Sequence, residues 1–219
     1  GSYRDLTRVA KLNPRMWTEL FLENSDNIAF EIDNIIAELH KYSDAIKKGA
    51  VAYVSLQKYD VDAPCILVSD IRKALYSTAN FFYNNAWDKL NLIGITGTKG
   101  KTTTTYMVKS ILEGVGHKVG LIGTIEAIIG DKVIPAANTT PESFTIHKYF
   151  AEMVEAGCDS VVMEVSSQGL MLHRTAGIPF EIGIFTNLGE DHIGPNEHKD
   201  FDDYKYCKGL LFKQCKLGI

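Results

Sequence analysis

The chain has 219 residues, room for one large domain or two modest ones, and its 45% apolar and 23% charged residues argue against a disordered chain and fit a globular protein. A net charge of −4 with no Lys/Arg-dense stretch gives no general attraction to nucleic acid, so an anionic ligand has to be held by a local site. No apolar run approaches the roughly 18 residues that a membrane span needs, and none of the four cysteines has CxxC or CxxH spacing.

Gly1-Ser2 reads as a cleavage scar, and residues 3–26 show no sustained period. Over 27–48, Ile28, Ile32, Ile35, Ile36, Leu39, Tyr42 and Ile46 fall on one helical stripe, which stops at Gly49. Two short strands are predicted at 51–56 and 65–68, and Asp70 is placed to cap a helix reaching about Asn84. The Asn84-Asn85-Ala86-Trp87-Asp88 stretch breaks the pattern, which puts a domain boundary at 89/90. Beyond it the texture alternates: strand 90–95, a glycine loop, helix 101–113, strand 119–122 and a hairpin over 127–134 turning at Gly130-Asp131. Pro141 opens a helix to about Ala156, 160–165 and 182–185 are further buried strands, and 201–215 is a last helix. This alternation predicts an α/β fold: a P-loop-type, mostly parallel sheet with helices on both faces, preceded by a small α/β N-terminal domain. Cys65 and Cys158 sit in strand-like runs as free thiols, and with no signal-peptide pattern a cytoplasmic, reducing compartment is expected.

Four segments carry chemistry. In Gly97-Thr98-Lys99-Gly100-Lys101-Thr102 a buried strand leads into glycine-rich backbone and then a helix. Such a loop can turn successive N–H groups toward phosphate, with Lys101 reaching the outer phosphates and Thr102 holding Mg²⁺. The spacing is the short G-T-x-G-K-T variant, since Ile95 stands where the longer pattern has glycine. Glu164 ends an apolar strand on the same side, where an acid serves either as a metal ligand or as a plain cap. His192, in Thr186-Asn187-Leu188-Gly189-Glu190-Asp191-His192, could meet a metal or phosphate or simply be solvated, and His198 has the same ambiguity. Asn138-Thr139-Thr140 before Pro141 reads equally as an anion site or as an ordinary N-cap by Thr140.

Together, GITGTKGKTTT (94–104), NTTPES (138–143), MEVSSQGL (163–170), His173-Arg174, TNLGEDHIG (186–194) and DYKYCKGLLF (203–212) resemble the Mur ligases, in family order across 90–215. The resemblance implies an ATP-dependent amide ligase of peptidoglycan precursor synthesis. Its diamino-acid-adding branch joins meso-diaminopimelate or L-lysine to UDP-N-acetylmuramoyl-L-alanyl-D-glutamate through an acyl phosphate. It implies that Gly97, Thr98, Lys99, Gly100, Lys101, Thr102 and Thr103 bind ATP, and that Thr102, Glu164 and His192 hold Mg²⁺. Asn138, Thr139, Thr140, Ser166 and Arg174 would hold the UDP-muramoyl dipeptide. Lys101, His192 and Lys208 would be catalytic, Lys208 as a carbamylated lysine.

Residues 1–89 are then expected to be an atypical UDP-substrate domain and 90–219 a shortened ATP-binding domain, with the amino-acid-binding domain absent and no turnover from this chain alone. Residues 1–89 lack the family's uridine-binding pattern, so no uracil ligand is named. Lys99 and Gln168 replace an Asn and a His common in the family, as in a Gram-positive branch. Rival readings are a folylpolyglutamate synthetase-like ligase, which shares the short loop, and a non-catalytic nucleotide-binding paralogue. Neither a membrane nor a nucleic-acid partner is expected, and with no heptad seam a monomer is the default.

Overall fold

The computed structural model describes residues 49, 51–59, 63–191, 193–194 and 197–219. The expected helix over 27–48 lies outside them. Contacts divide the chain into Gly1–Ile66 and Leu67–Ile219, not at the 89/90 boundary expected from the broken pattern. The helix ahead of the Asn84-Asn85 turn packs on the later helix at Ser143–Glu155, and this moves the division upstream.

The strands β1 (Tyr53–Ser55) and β2 (Cys65–Leu67) form a two-stranded sheet, with Tyr53 N–H donating to Pro64 O at 3.0 Å. Helix α1 (Ile71–Phe82) starts at Asp70, whose carboxylate accepts from the N–H groups of Arg72 and Lys73, as its sequence position predicted. Asn84 and Asn85 both take left-handed backbone and lead into a 3₁₀ turn at Ala86–Lys89.

The main sheet has seven strands in the order β6-β5-β4-β7-β3-β8-β9. These are β3 (Asn91–Thr96), β4 (Val119–Ile122), β5 (Glu126–Ile129), β6 (Lys132–Pro135), β7 (Ser160–Glu164), β8 (Phe180–Phe185) and β9 (Cys215–Gly218). The run β4-β7-β3-β8-β9 is parallel, and the β5–β6 hairpin adds an antiparallel margin. In the central strands β3 and β7 every residue after Asn91 is buried, as two covered faces require.

Alternate residues of β3 serve the two faces. Ile93 and Ile95 pack with Val119, Val162, Val108 and Leu112 beside α2 (Lys101–Gly114). Leu92 joins Ile146, Phe150 and Met153 of α3 (Ser143–Glu155) in the larger core. A mostly parallel sheet with helices on both faces is the fold class that the alternating sequence predicted.

Two elements differ from expectation. Helix α3 begins at Ser143 rather than Pro141, and Thr140 does not cap it, because its hydroxyl is drawn into the sheet edge described below. The predicted helix 201–215 is a helix α5 (Phe201–Gly209), a 3₁₀ turn (Leu210–Lys213) and then strand β9, which pairs with β8. The short helix α4 (Ser167–Met171) follows β7. All four cysteines are free. Among the described residues no helix is long and apolar enough to cross a membrane.

Candidate functional site

The loops after β3, β4, β7 and β8 all leave the same end of the parallel strands, where ligands of open α/β sheets sit. After β3 the chain turns through Gly97 at φ 142° and Gly100 at φ 83°, both left-handed values that favour glycine. A Cβ at Gly97 would come within 2.0 Å of the Thr186 hydroxyl oxygen, so the close approach of two loops fixes that residue type. Gly100 caps α2 without a side chain, leaving the helix N-terminus open to an anion.

The loop is latched to the segment after β8. Thr98 N–H donates to Asn187 O at 3.0 Å, and its hydroxyl lies between Gly189 O and Gly189 N–H at 3.2 and 2.9 Å. The Asn187 carboxamide pairs with the Lys99 peptide group, accepting from its N–H at 3.0 Å and donating to its carbonyl at 2.9 Å. The N–H groups of Thr98 and Lys99 are therefore both engaged by Asn187. Thr103 is exposed on α2.

Two lysines converge on one carbonyl. Lys101 Nζ donates to Gly97 O at 2.9 Å and to Thr98 O at 3.2 Å, and Lys208 Nζ donates to Gly97 O at 2.7 Å. Lys208 is 1% exposed, beneath the phosphate loop, with its amine 4.5 Å from the centroid of the Tyr204 ring. Burial, and then the neighbouring Lys101 charge, push the Lys208 amine down to about 7, against a smaller opposing pull from Asp191. Burial also lowers Lys101, with the charges of Glu164 and Asp191 opposing it.

Glu164 ends β7 fully buried. One carboxylate oxygen accepts from Thr124 N–H at 2.9 Å, and the other accepts from the Thr102 and Thr124 hydroxyls, each at 3.0 Å. This all-oxygen cluster of a carboxylate and two hydroxyls fits a hard divalent cation such as Mg²⁺. His192 lies outside the described residues.

Beside the loop is a cavity of about 160 Å³, whose lining includes Lys101, Asn138, Thr139, Thr140, Ser166 and Arg174. The residues that the resemblance assigned to one ligand are thus brought together. The Thr140 hydroxyl donates to Glu164 O at 3.0 Å and accepts from Ser166 N–H at 2.9 Å, tying the 138–140 segment to the end of β7. Arg174 donates to Thr140 O at 3.0 Å and lies 2.8 Å from Glu142, which also pairs with Arg72 at 2.8 Å.

Sequence reading missed the supports: Thr124, Asn187 and Tyr204, whose hydroxyl lies 3.1 Å from Thr98 Oγ1. It left His198 undecided, and this residue proves to be 1% exposed and to line the cavity. Only the His198–Lys208 stretch following the Thr186–Asp191 motif offered a signal for the last.

The model of the Mur ligase middle domain matches residues 95–219, and that of the prephenate dehydrogenase dimerization domain matches residues 1–59. The chain is 49% identical over 194 residues to a UDP-N-acetylmuramoyl-L-alanyl-D-glutamate–2,6-diaminopimelate ligase of Clostridium tetani, covering 86% of this chain and 40% of that protein. It is 47% identical over 199 residues to a protein of the same name, numbered 1, from Clostridium acetobutylicum, covering 90% of this chain and 41% of that one. A solved structure of a UDP-N-acetylmuramoyl-L-alanyl-D-glutamate–2,6-diaminopimelate ligase superposes with a TM-score of 0.66 at 23% identity, over 80% of this chain and 35% of its own. The chain therefore spans about two fifths of the length of these relatives.

Proposed function

The chain belongs to the Mur ligase family, and from that premise we propose that it supplies the nucleotide-binding and UDP-substrate-binding part of an ATP-dependent amide ligase of peptidoglycan precursor synthesis. The observation that carries this reading is the convergence of Lys101, Lys208 and Glu164 on the phosphate loop, beside a cavity lined by Asn138, Thr139, Thr140, Ser166 and Arg174.

In the proposed reaction the carboxylate of UDP-N-acetylmuramoyl-L-alanyl-D-glutamate attacks the γ-phosphorus of ATP, giving an acyl phosphate and ADP. The amine of a diamino acid then forms the C–N bond as phosphate leaves. The names of the relatives favour diaminopimelate over L-lysine as that diamino acid. Both reactants of the first step are anions, so Lys101 and the open end of α2 bind and orient them. Thr102 and Glu164, with His192, would hold Mg²⁺, which when bound neutralises phosphate charge.

Lys208 is proposed as the carbamylated residue. A neutral amine adds to CO₂, forming an N–C bond and releasing a proton, and a pKa near 7 leaves much of Lys208 neutral at physiological pH. The product is an anion, which turns the repulsion of Lys101 into attraction. A cytoplasmic location, where ATP is available, goes with this reading.

The test is calorimetric titration of the 219-residue chain with ADP and Mg²⁺. Binding is expected, weakened at least about tenfold by Lys101→Met, on the scale of about 1.4 kcal/mol or more for a lost charge-assisted contact. A wild-type chain that binds no nucleotide sinks the proposal, and binding of a pterin in place of the UDP-dipeptide would favour a folate-type ligase.

Residues 1–89 are proposed to help hold the UDP moiety. The match of residues 1–59 to a dimerization domain favours a second reading, in which the leading segment joins two chains. Sedimentation separates the two: a monomer is expected if the segment serves the substrate, a dimer if it serves association.

A further inference from the structure

His198 is almost completely buried, yet it lines the cavity beside the phosphate loop. Its backbone is pinned by a bridge to Ile193 and by Gly194 N–H donating to its carbonyl at 3.1 Å, and its ring meets Tyr204 edge-on at 5.2 Å. Its Nδ1 lies 3.2 Å from a carboxylate oxygen of Asp203, on the first turn of α5.

A carboxylate can only accept, so Nδ1 carries the hydrogen and in the neutral ring the lone pair sits on Nε2. That Nε2 is buried without a hydrogen-bond partner among the described residues. A buried acceptor left without a donor destabilises the fold, and neither the contact with Tyr204 nor the bond to Asp203 uses Nε2. The two cationic neighbours in the lining bond to the backbone rather than to His198, Lys101 to Gly97 O and Thr98 O and Arg174 to Thr140 O. A ligand that enters the cavity can supply the donor that Nε2 lacks among the described residues.

We propose that His198, oriented by Asp203, is a further substrate-binding residue, its Nε2 accepting a hydrogen bond from an amide N–H or hydroxyl of the UDP-muramoyl dipeptide. This rests on the substrate reading given above. Asp203 is a positioning residue: it touches no ligand and sets which ring nitrogen is the acceptor.

The experiment titrates UDP-N-acetylmuramoyl-L-alanyl-D-glutamate into the 219-residue chain and its variants by calorimetry. Long-range ¹⁵N–¹H correlation spectra read the His198 tautomer, and an ADP titration reports the state of the phosphate loop. His198→Phe is expected to weaken dipeptide binding about tenfold, the scale of one lost hydrogen bond in a closed site. His198→Gln, whose amide oxygen can stand in for Nε2, restores most of it. Asp203→Asn can donate to Nδ1 and moves the hydrogen to Nε2, so it weakens dipeptide binding with a visible change of tautomer.

Wild-type binding that His198→Phe leaves unchanged overturns this inference alone. Absence of dipeptide binding by the wild-type chain, with ADP still bound, overturns the substrate reading and this inference with it. A ring nitrogen of His198, the Asp203 carboxylate and Cys207 Sγ also lie within 4.8 Å of one another. A thiolate charge-transfer band on adding Co²⁺ would make them a metal site and overturn the proposal.

Discussion

Replacing Lys208 with Met is expected to stabilise the protein by about 2–4 kcal/mol at pH 7 in CO₂-free buffer, while removing the residue proposed for carbamylation. The amine lies beneath the loop with one carbonyl partner, a tyrosine ring and a second lysine nearby. Its folded pKa, about 7, is well below the ordinary 10.5, so between those values the unfolded chain holds the proton more readily than the folded one. Stability contributed by the neutral amine is complete above the unfolded value and is lost as pH falls through the folded one. Linkage puts the penalty near 4 kcal/mol at pH 7 and at about 1 kcal/mol by pH 10. The hydrogen bond lost from Gly97 O returns about 1 kcal/mol of that gain. Urea unfolding at the two pH values checks it: no gain at pH 7, or one that persists undiminished at pH 10, overturns the account. A residue whose removal strengthens the fold is retained for some other reason, and this trade marks functional positions.

The parts of the site legible in sequence were those with a local pattern. An apolar strand, two glycines and Lys101-Thr102 at the start of a helix specify a phosphate loop within a dozen residues, and Glu164 stood out as an acid closing an apolar run. Thr140 was read as a candidate cap because a threonine before proline usually is one, and nothing local says that its hydroxyl meets Glu164 O and Ser166 N–H instead. The pairing of Asn187 with Lys99 spans 88 positions, and the contact of Lys208 with Gly97 spans 111. Such contacts exist only once β3 and β8 are adjacent. Strand β9 was missed because the four residues Cys-Lys-Leu-Gly are too short a run to mark a strand, and their conformation is set by pairing with β8. Near the boundary expected at residue 89 the two left-handed asparagines do break the chain locally, but α1, ahead of them, packs on α3.

Glu164 gives the opposite result to Lys208. Glu164→Ala leaves the Thr124 N–H and two hydroxyls without their shared acceptor and takes away the charge that opposes the desolvation of Lys101. A loss of about 2–4 kcal/mol is expected, the range for stripping one partner from a buried polar cluster. Glu164→Gln separates structure from chemistry. Its carbonyl oxygen can accept from Thr124 N–H while its amide donates to the hydroxyls, so stability should stay within about 1 kcal/mol of wild type. The neutral amide has lost the charge that a divalent cation requires. Nucleotide affinity measured with Mg²⁺ should then fall at least about tenfold, with little change when Mg²⁺ is omitted. Urea unfolding and ADP titration with and without Mg²⁺ test both halves. If the Gln variant bound ADP with Mg²⁺ as tightly as wild type, Glu164 would be a structural acceptor that holds the Thr124 turn against the end of α2, and the cation would have to be placed elsewhere on the loop.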